Sequence, residues 1–205
     1  MRVGGIVLAG GRSERFGRPK QLVPWDGRTL IEGVVEEVCR VPSLLAVVVV
    51  LRWEVARALG VGPADSLKCA RVAIPDDGAE GCAASYRSGL KALEDAALDG
   101  VVVVLGDQPG VTAETIERVV RAWWQSGAPL AVTRYRDGEG HPVVFGKELF
   151  GELAQLRGEK AAWKVVDRYR DRARWVDVEE PMPGDIDTEE EYWERRRSWS
   201  GQGAE

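Results

Sequence analysis

Histidine is almost absent. His141 is the only one in 205 residues, which excludes sites built from several imidazoles, such as His-rich zinc centres and the two-His helical metalloprotease motif. Catalysis must rest on Asp, Glu, Lys or Arg. Cysteine is scarce as well: Cys39, Cys69 and Cys82 are far apart and odd in number. That pattern gives neither a zinc knuckle nor a secreted disulfide framework and predicts a reducing, cytoplasmic setting. Long apolar runs are missing. The longest, Leu44 to Leu51, is too short to span a bilayer, and Met1 to Gly11 lacks the apolar stretch of a signal peptide, so no membrane partner is expected. Asparagine is absent and Arg far outnumbers Lys, a bias compatible with a thermophile or a GC-rich genome and without functional weight. Nor is there an excess of positive charge: 28 Lys+Arg stand against 33 Asp+Glu, a net charge of −5. A nucleic-acid-coating role is therefore disfavoured, and any basic site must be local.

What remains is an ordinary globular composition, 44% hydrophobic and 30% charged, long enough for one domain with a sizeable core. The expected domain covers residues 1–197, with a Ser/Gly-rich tail at 198–205. Apolar runs at Val3 to Leu8, Ala46 to Leu51, Arg71 to Ile74 and Val101 to Leu105 read as strands. Two of them are continuous Val runs, as in parallel strands covered on both faces. Helical patterns alternate with them. Leu30 to Arg40 follows Thr29 and Glu32 in capping-box spacing, Ser85 to Ala97 aligns Tyr86, Leu90 and Leu93, and Ala113 to Trp124 follows Thr112 as cap. Leu130 to Tyr135 and Pro142 to Phe145 read as strands around a turn at Asp137-Gly138. Helices at Lys147 to Leu156 and Ala161 to Tyr169, a strand at Ala173 to Val178 and a charged helix at Glu189 to Arg197 complete the pattern. The fold class is α/β: a Rossmann-like, mostly parallel sheet with helices on both faces.

The most informative stretch follows the first strand: Leu8-Ala9-Gly10-Gly11-Arg12-Ser13-Glu14-Arg15-Phe16-Gly17-Arg18-Pro19-Lys20. Glycines after a buried strand let successive N–H groups form an anion-binding nest, and Arg12, Arg15 and Lys20 add positive charge. An ordinary tight turn with surface cations is the alternative. The spacing fits neither the P-loop nor the dinucleotide fingerprint Gly-x-Gly-x-x-Gly. Asp107, in Gly106-Asp107-Gln108-Pro109, directly follows a buried strand. A carboxylate at the carboxyl end of such a sheet is placed to hold Mg²⁺ against substrate phosphates, or else to cap a helix. Asp187 or Thr188, before Glu189 to Glu191, reads as a helix cap. Trp123 and Trp124 read as one core and one rim residue, Arg195 to Arg197 as a solvated helix face, and Cys82 as unsupported by any base.

The loop Leu-x-Gly-Gly-x-Ser-x-Arg-Phe-Gly-x-Pro-Lys resembles the signature of the MobA-like NTP transferase family. Phe16-Gly17 and Pro19-Lys20-Gln21-Leu22 are most similar to its molybdenum cofactor cytidylyltransferases. The resemblance implies a nucleotide-diphospho-sugar transferase-like fold and a Mg²⁺-dependent nucleotidyltransferase. Leu8, Ala9, Gly10, Gly11, Arg12, Ser13, Arg15, Lys20, Gly81, Ser85 and Asp107 would hold the nucleotide, with Arg15 and Lys20 meeting its phosphates. Asp185-Ile186-Asp187-Thr188-Glu189 is similar to the family's late Asp-Ile-Asp-Thr-Pro element, which implies that Asp187 shares the metal with Asp107. Gly140-His141-Pro142-Val143 matches another element, giving His141 and Pro142, together with Lys160, a substrate-pocket role. Ile74 stands where the family has Asn, and Gly158 to Trp163 only approximates the element near the second substrate. The implied reaction joins a nucleoside monophosphate from CTP or GTP to molybdopterin-type cofactor, the product passing to a molybdoenzyme or its chaperone. CTP is favoured by Pro19-Lys20-Gln21-Leu22 and Gly106-Asp107-Gln108-Pro109, both of which resemble the cytidylyl branch. Gly10 speaks for GTP, because the cytidylyl branch usually has Ala there and a missing methyl would open space beside the base. A sugar-phosphate nucleotidyltransferase and a noncatalytic cofactor-delivery protein are the alternatives.

Overall fold

The computed structural model describes residues 1–75, 81–158 and 161–199. In chain order it contains β1 (Val3–Ala9), β2 (Pro24–Trp25), β3 (Arg28–Thr29), α1 (Leu30–Cys39), β4 (Leu44–Leu51), α2 (Trp53–Ala58), β5 (Ser66–Leu67), β6 (Ala70–Ala73) and α3 (Gly81–Ala92). Then follow β7 (Gly100–Leu105), α4 (Ala113–Ser126), β8 (Leu130–Tyr135), β9 (Gly138–Gly146), α5 (Phe150–Ala154), α6 (Ala161–Arg168), β10 (Arg174–Asp177) and α7 (Glu189–Trp199). The central sheet has the order β10-β8-β9-β7-β1-β4-β6-β5, and β2–β3 forms a separate small hairpin. Parallel pairing joins β7, β1, β4 and β6, whereas β9 runs antiparallel to both β7 and β8. The sheet is mostly parallel, as the continuous Val runs predict.

Strand alternation divides the core. Val3, Val7 and Ala9 face α1, α2 and α4, while Ile6 and Leu8 face α3, α5 and α6. Val102 and Val104 repeat the first pattern on β7, and Val101 and Val103 the second. This two-faced burial explains why neither strand carries a polar side chain. A third cluster joins Phe16, Val23, Trp25 and Leu30 to Ile186 and Tyr192. It ties the loop after β1 to the C-terminal helix.

The capping box of α1 forms as expected, Thr29 and Glu32 bonding reciprocally. Trp123 is buried and Trp124 is 48% exposed, the expected division. Several boundaries differ. Helix α3 begins four residues early, the helix expected over 147–156 breaks into a 3₁₀ turn (Lys147–Leu149) and α5, and Tyr135 pairs with Gly138 so that the hairpin turn is Arg136-Asp137. Helix α7 runs to Trp199, whose ring packs on Trp25 with centroids 5.5 Å apart. Ser198 and Trp199 thus belong to the helix, while 200–205 lie outside the described residues. Arg195 also departs from a fully solvated face, its Nε being buried and its guanidinium lying over Gly184.

The cysteine spacing points to no disulfide, and the structure corrects that reading. Cys39 at the end of α1 and Cys69 beside the start of β6 are joined in a disulfide across a sequence separation of 30. Sequence spacing hid this, because parallel crossovers bring distant residues together at one end of the sheet. A bridge closing a loop of that size contributes about 3–4 kcal/mol through the unfolded chain. Denaturant unfolding of the reduced protein, or of Cys39→Ser, should show a loss of that order against the oxidised protein.

Candidate active site

The carboxyl ends of β1 and β7 lie side by side, Leu8 opposite Leu105. The Gly106 N–H donates to the Leu8 carbonyl at 2.8 Å. A Cβ on Gly106 would stand 2.8 Å from both Ala9 Cβ and Ile31 Cδ1, so this close approach requires glycine. It sets Asp107 directly beside the start of the Gly-rich loop.

The loop itself is held by Gln21, which is 2% exposed. Its Nε2 donates to the carbonyls of Ala9 at 3.2 Å and Gly11 at 3.4 Å. Ser13, at φ 53°, accepts the N–H groups of Phe16 and Gly17 on its carbonyl and that of Lys20 on its Oγ. These bonds bend the loop and drive the Lys20 side chain inward. Arg12 and Arg15 remain exposed, and Leu8 and Ala9 are buried at the end of β1. Gln21 was not among the expected site residues, because its work is done on the backbone rather than toward a ligand.

Lys20 is the centre of the arrangement. Its ammonium donates to Asp107 Oδ2 at 2.6 Å and to Asp187 Oδ1 at 2.7 Å. Burial alone would lower its pKa, but the two carboxylates outweigh burial and hold the pKa above the ordinary lysine value. Asp187 also bonds Arg15. Burial pushes the Asp187 carboxyl up, and Lys20 and Arg15 together bring it below the usual range. The late acidic element is docked by three contacts. The Ile186 N–H donates to the Asp107 carbonyl at 3.1 Å, Gln108 Nε2 donates to Asp185 Oδ1 at 2.8 Å, and Ile186 is fully buried in the third cluster. Burial, then the charge of Asp107, raises the Asp185 pKa. The cap of α7 is Thr188, whose Oγ1 accepts the Glu191 N–H while Glu191 Oε2 accepts the N–H groups of Asp187 and Thr188. The Asp187 carboxylate is thus turned to the crevice and not to the helix.

Ser85 reaches the same region. A Cβ on Gly10 would stand 2.4 Å from Ser85 Oγ, so the space expected from the missing methyl is filled by a hydroxyl. Gly81 opens α3 one turn before Ser85. His141 lies apart, buried between Tyr86, whose hydroxyl is 3.5 Å from Nε2, and Trp163, which meets its ring edge-on. Its carbonyl accepts the Tyr135 hydroxyl, and the Pro142 carbonyl accepts that of Thr133. Lys160 lies outside the described residues. Among those described, no helix is long and apolar enough to cross a membrane.

Burial lowers the His141 pKa to about 4. Below its ordinary value near 6.5, the unfolded chain takes a proton that the folded chain refuses, so stability falls as pH drops from about 6.5 toward 4. The slope should reach ~1.4 kcal/mol per pH unit. Unfolding curves across that window should show it, and His141→Gln should remove it.

A protein family, described as the MobA-like NTP transferase domain, matches residues 5–173. Nicotine blue oxidoreductase of Paenarthrobacter nicotinovorans is 30% identical over 93% of this chain and 95% of its own. A probable molybdenum cofactor guanylyltransferase of Bacillus cytotoxicus is 65% identical over 34 residues, 17% of each chain. The crystal structure of Rv0371C of Mycobacterium tuberculosis in complex with manganese superposes with a TM-score of 0.80 at 31% identity, covering 97% of this chain and 100% of that one. The glycine-rich loop, the Gly106-Asp107 junction and every sheet strand from β4 to β9 fall within the matched residues, and the chain belongs to the MobA-like NTP transferase domain family.

Proposed function

We propose that this protein is a metal-dependent nucleotidyltransferase that joins a nucleoside monophosphate, from CTP in preference to GTP, to the phosphate of a molybdopterin-type cofactor. The observation that carries this reading is the buried Lys20 ammonium between Asp107 and Asp187 at the mouth of the Gly-rich loop. Backbone N–H groups of the loop at Gly10 and Gly11, with the exposed Arg12 and Arg15, suit the phosphates of a nucleotide. Two hard carboxylate oxygens suit a small divalent cation that takes its remaining ligands from phosphate and water. Asp107 and Asp187 would hold Mg²⁺, and its chemistry there would be charge neutralisation of the triphosphate. The manganese complex of the 31%-identical mycobacterial protein agrees with a divalent ion in this fold.

The chain's own residues position and neutralise. Lys20 and Arg15 stabilise charge on the phosphates as the acceptor phosphate attacks the α-phosphorus and pyrophosphate leaves. A phosphate monoester is largely deprotonated near neutral pH (second pKa ~6), so no general base is required. A neutral, buried His141 is consistent with that economy. His141 and Pro142 shape the acceptor side through Tyr86 and Trp163, and Lys160 would reach the acceptor. The product would pass to a molybdoenzyme or its chaperone in the cytoplasm. The disulfide stands at the other end of the sheet, where its reduction leaves the site untouched.

One observation favours guanine instead, the short, high identity with probable guanylyltransferases; Gly10 no longer does, because Ser85 Oγ takes the space beside it. Cytidine is carried by Pro19 to Leu22 and by Gln108, which docks Asp185. An oxidoreductase reading, raised by the name of one relative, has no dinucleotide fingerprint after β1 to support it.

Pyrophosphate release with each of the four nucleoside triphosphates, the metal-free pterin acceptor and Mg²⁺ tests the reading. CTP should give the highest kcat/KM. A higher value with GTP overturns the cytidylyl assignment and leaves the transfer reaction standing, and no release with any of the four overturns the enzyme. Asp107→Ala should abolish turnover with an unchanged circular dichroism spectrum. Lys20→Ala should raise the barrier by about 2–4 kcal/mol. Asp187→Ala should raise the Mg²⁺ concentration needed for half-maximal rate, whereas Thr188→Ala should cost about 1 kcal/mol of stability and leave that requirement alone.

A further inference from the structure

Four formal charges meet at the crevice: the carboxylates of Asp107 and Asp187, the ammonium of Lys20 and the guanidinium of Arg15. They cancel. The ammonium sits where a cation shared by the two carboxylates would sit, and the Lys20 side chain is only 8% exposed. Water is poorly placed to solvate it should the carboxylates be taken away. Among the described residues there is no group of three or more His, Cys, Asp or Glu able to hold a metal. The two carboxylates supply only part of the octahedral shell that a small divalent cation demands.

We propose that Lys20 is an internal counter-ion that makes divalent-cation binding conditional on the nucleotide. The cation alone is kept off the Asp107–Asp187 pair, and the triphosphate admits it by drawing the ammonium onto its own oxygens. This rests on the nucleotidyl-transfer reading and adds an order of events to it. A dication arriving alone would bring two positive charges into a balanced set and leave a desolvated ammonium beside it without partners. A triphosphate arriving with it supplies several negative charges, replaces the carboxylates as partners of Lys20 and completes the metal's ligand shell. The exchange keeps every charge-assisted hydrogen bond in kind. Lysine suits the task because its flexible four-carbon stem carries a point charge from one partner to the other, which a planar guanidinium does less readily. Arg15, exposed and bonded to Asp187 on its outer side, is free to follow.

The test uses Mn²⁺ as probe, its free fraction read by electron paramagnetic resonance. The folded full chain is titrated with and without a non-hydrolysable α,β-methylene triphosphate, in cytidine and guanosine forms. Wild type should bind Mn²⁺ on the order of tenfold more tightly with the analogue than without it. Lys20→Met and Lys20→Gln should each bind Mn²⁺ without analogue on the order of tenfold more tightly than wild type. Two neutral replacements guard against one failing to fold, and Gln keeps a donor for the carboxylates. If both bind Mn²⁺ alone no better than wild type, while Asp107→Asn is defective with the analogue, the counter-ion role is overturned and the metal site stands. If Asp107→Asn binds Mn²⁺ with analogue as well as wild type, the cation is placed wrongly, and both the proposal and the metal half of the function fall.

Discussion

A charged amine at the end of a buried sheet must be neutralised, and the rest of the site follows from how that is done. Lys20 has burial against it and two carboxylates for it, and the carboxylates prevail. One of them, Asp107, is delivered by a strand. The other, Asp187, comes from far along the chain, and the apparatus that brings it is extensive: the Asp185–Gln108 bond, the Ile186 N–H on the Asp107 carbonyl, the Thr188 cap and the aromatic cluster around Tyr192. Removing the ammonium from this balance would leave two acids at close quarters, and removing either acid would leave a desolvated cation.

The sheet and its two helical layers were legible in the sequence because continuous Val runs have few other uses. The Gly-rich loop and Asp107 were legible because glycines and a carboxylate directly after such runs are costly without a purpose. Asp187 was half legible. Its position before Thr188 and three glutamates suited a helix cap as well as a crevice ligand, and only the hydrogen bonds of Thr188 and Glu191 separate the two roles. Gln21 and Gln108 carried no signal of their own, since a buried amide tying loop to loop looks in sequence like any polar residue. The disulfide was illegible for a related reason: the count of cysteines says nothing of which ends of which crossovers meet. At Gly10 the pattern misled, because the absence of a methyl was read as space and the fold puts the Ser85 hydroxyl there.

Family membership rests on residues 5–173, and the second acid of the site lies beyond them. Nicotine blue oxidoreductase and Rv0371C nevertheless match over 93% and 97% of this chain, so the likeness does not end with the loop and Asp107. The turn before α7 and α7 itself supply the carboxylate that completes the charge balance. Glu189, where proline is expected, pairs with Arg18 at 2.9 Å, a second tie between the loop and the helix.

The Lys20–Asp187 bond spans 167 positions of sequence, and closing so wide a loop comes late, after local and neighbouring-strand contacts have formed. A chain emerging from the ribosome therefore has its sheet strands and its glycine turn well before it has a balanced crevice. The second carboxylate partner of Lys20 arrives only with the turn before the last helix. No strand of the sheet follows β10, so a cut by a protease after it would remove no strand pairing and yet strip away the second carboxylate, and strand pairing and charge balance are separable at a single stretch of backbone.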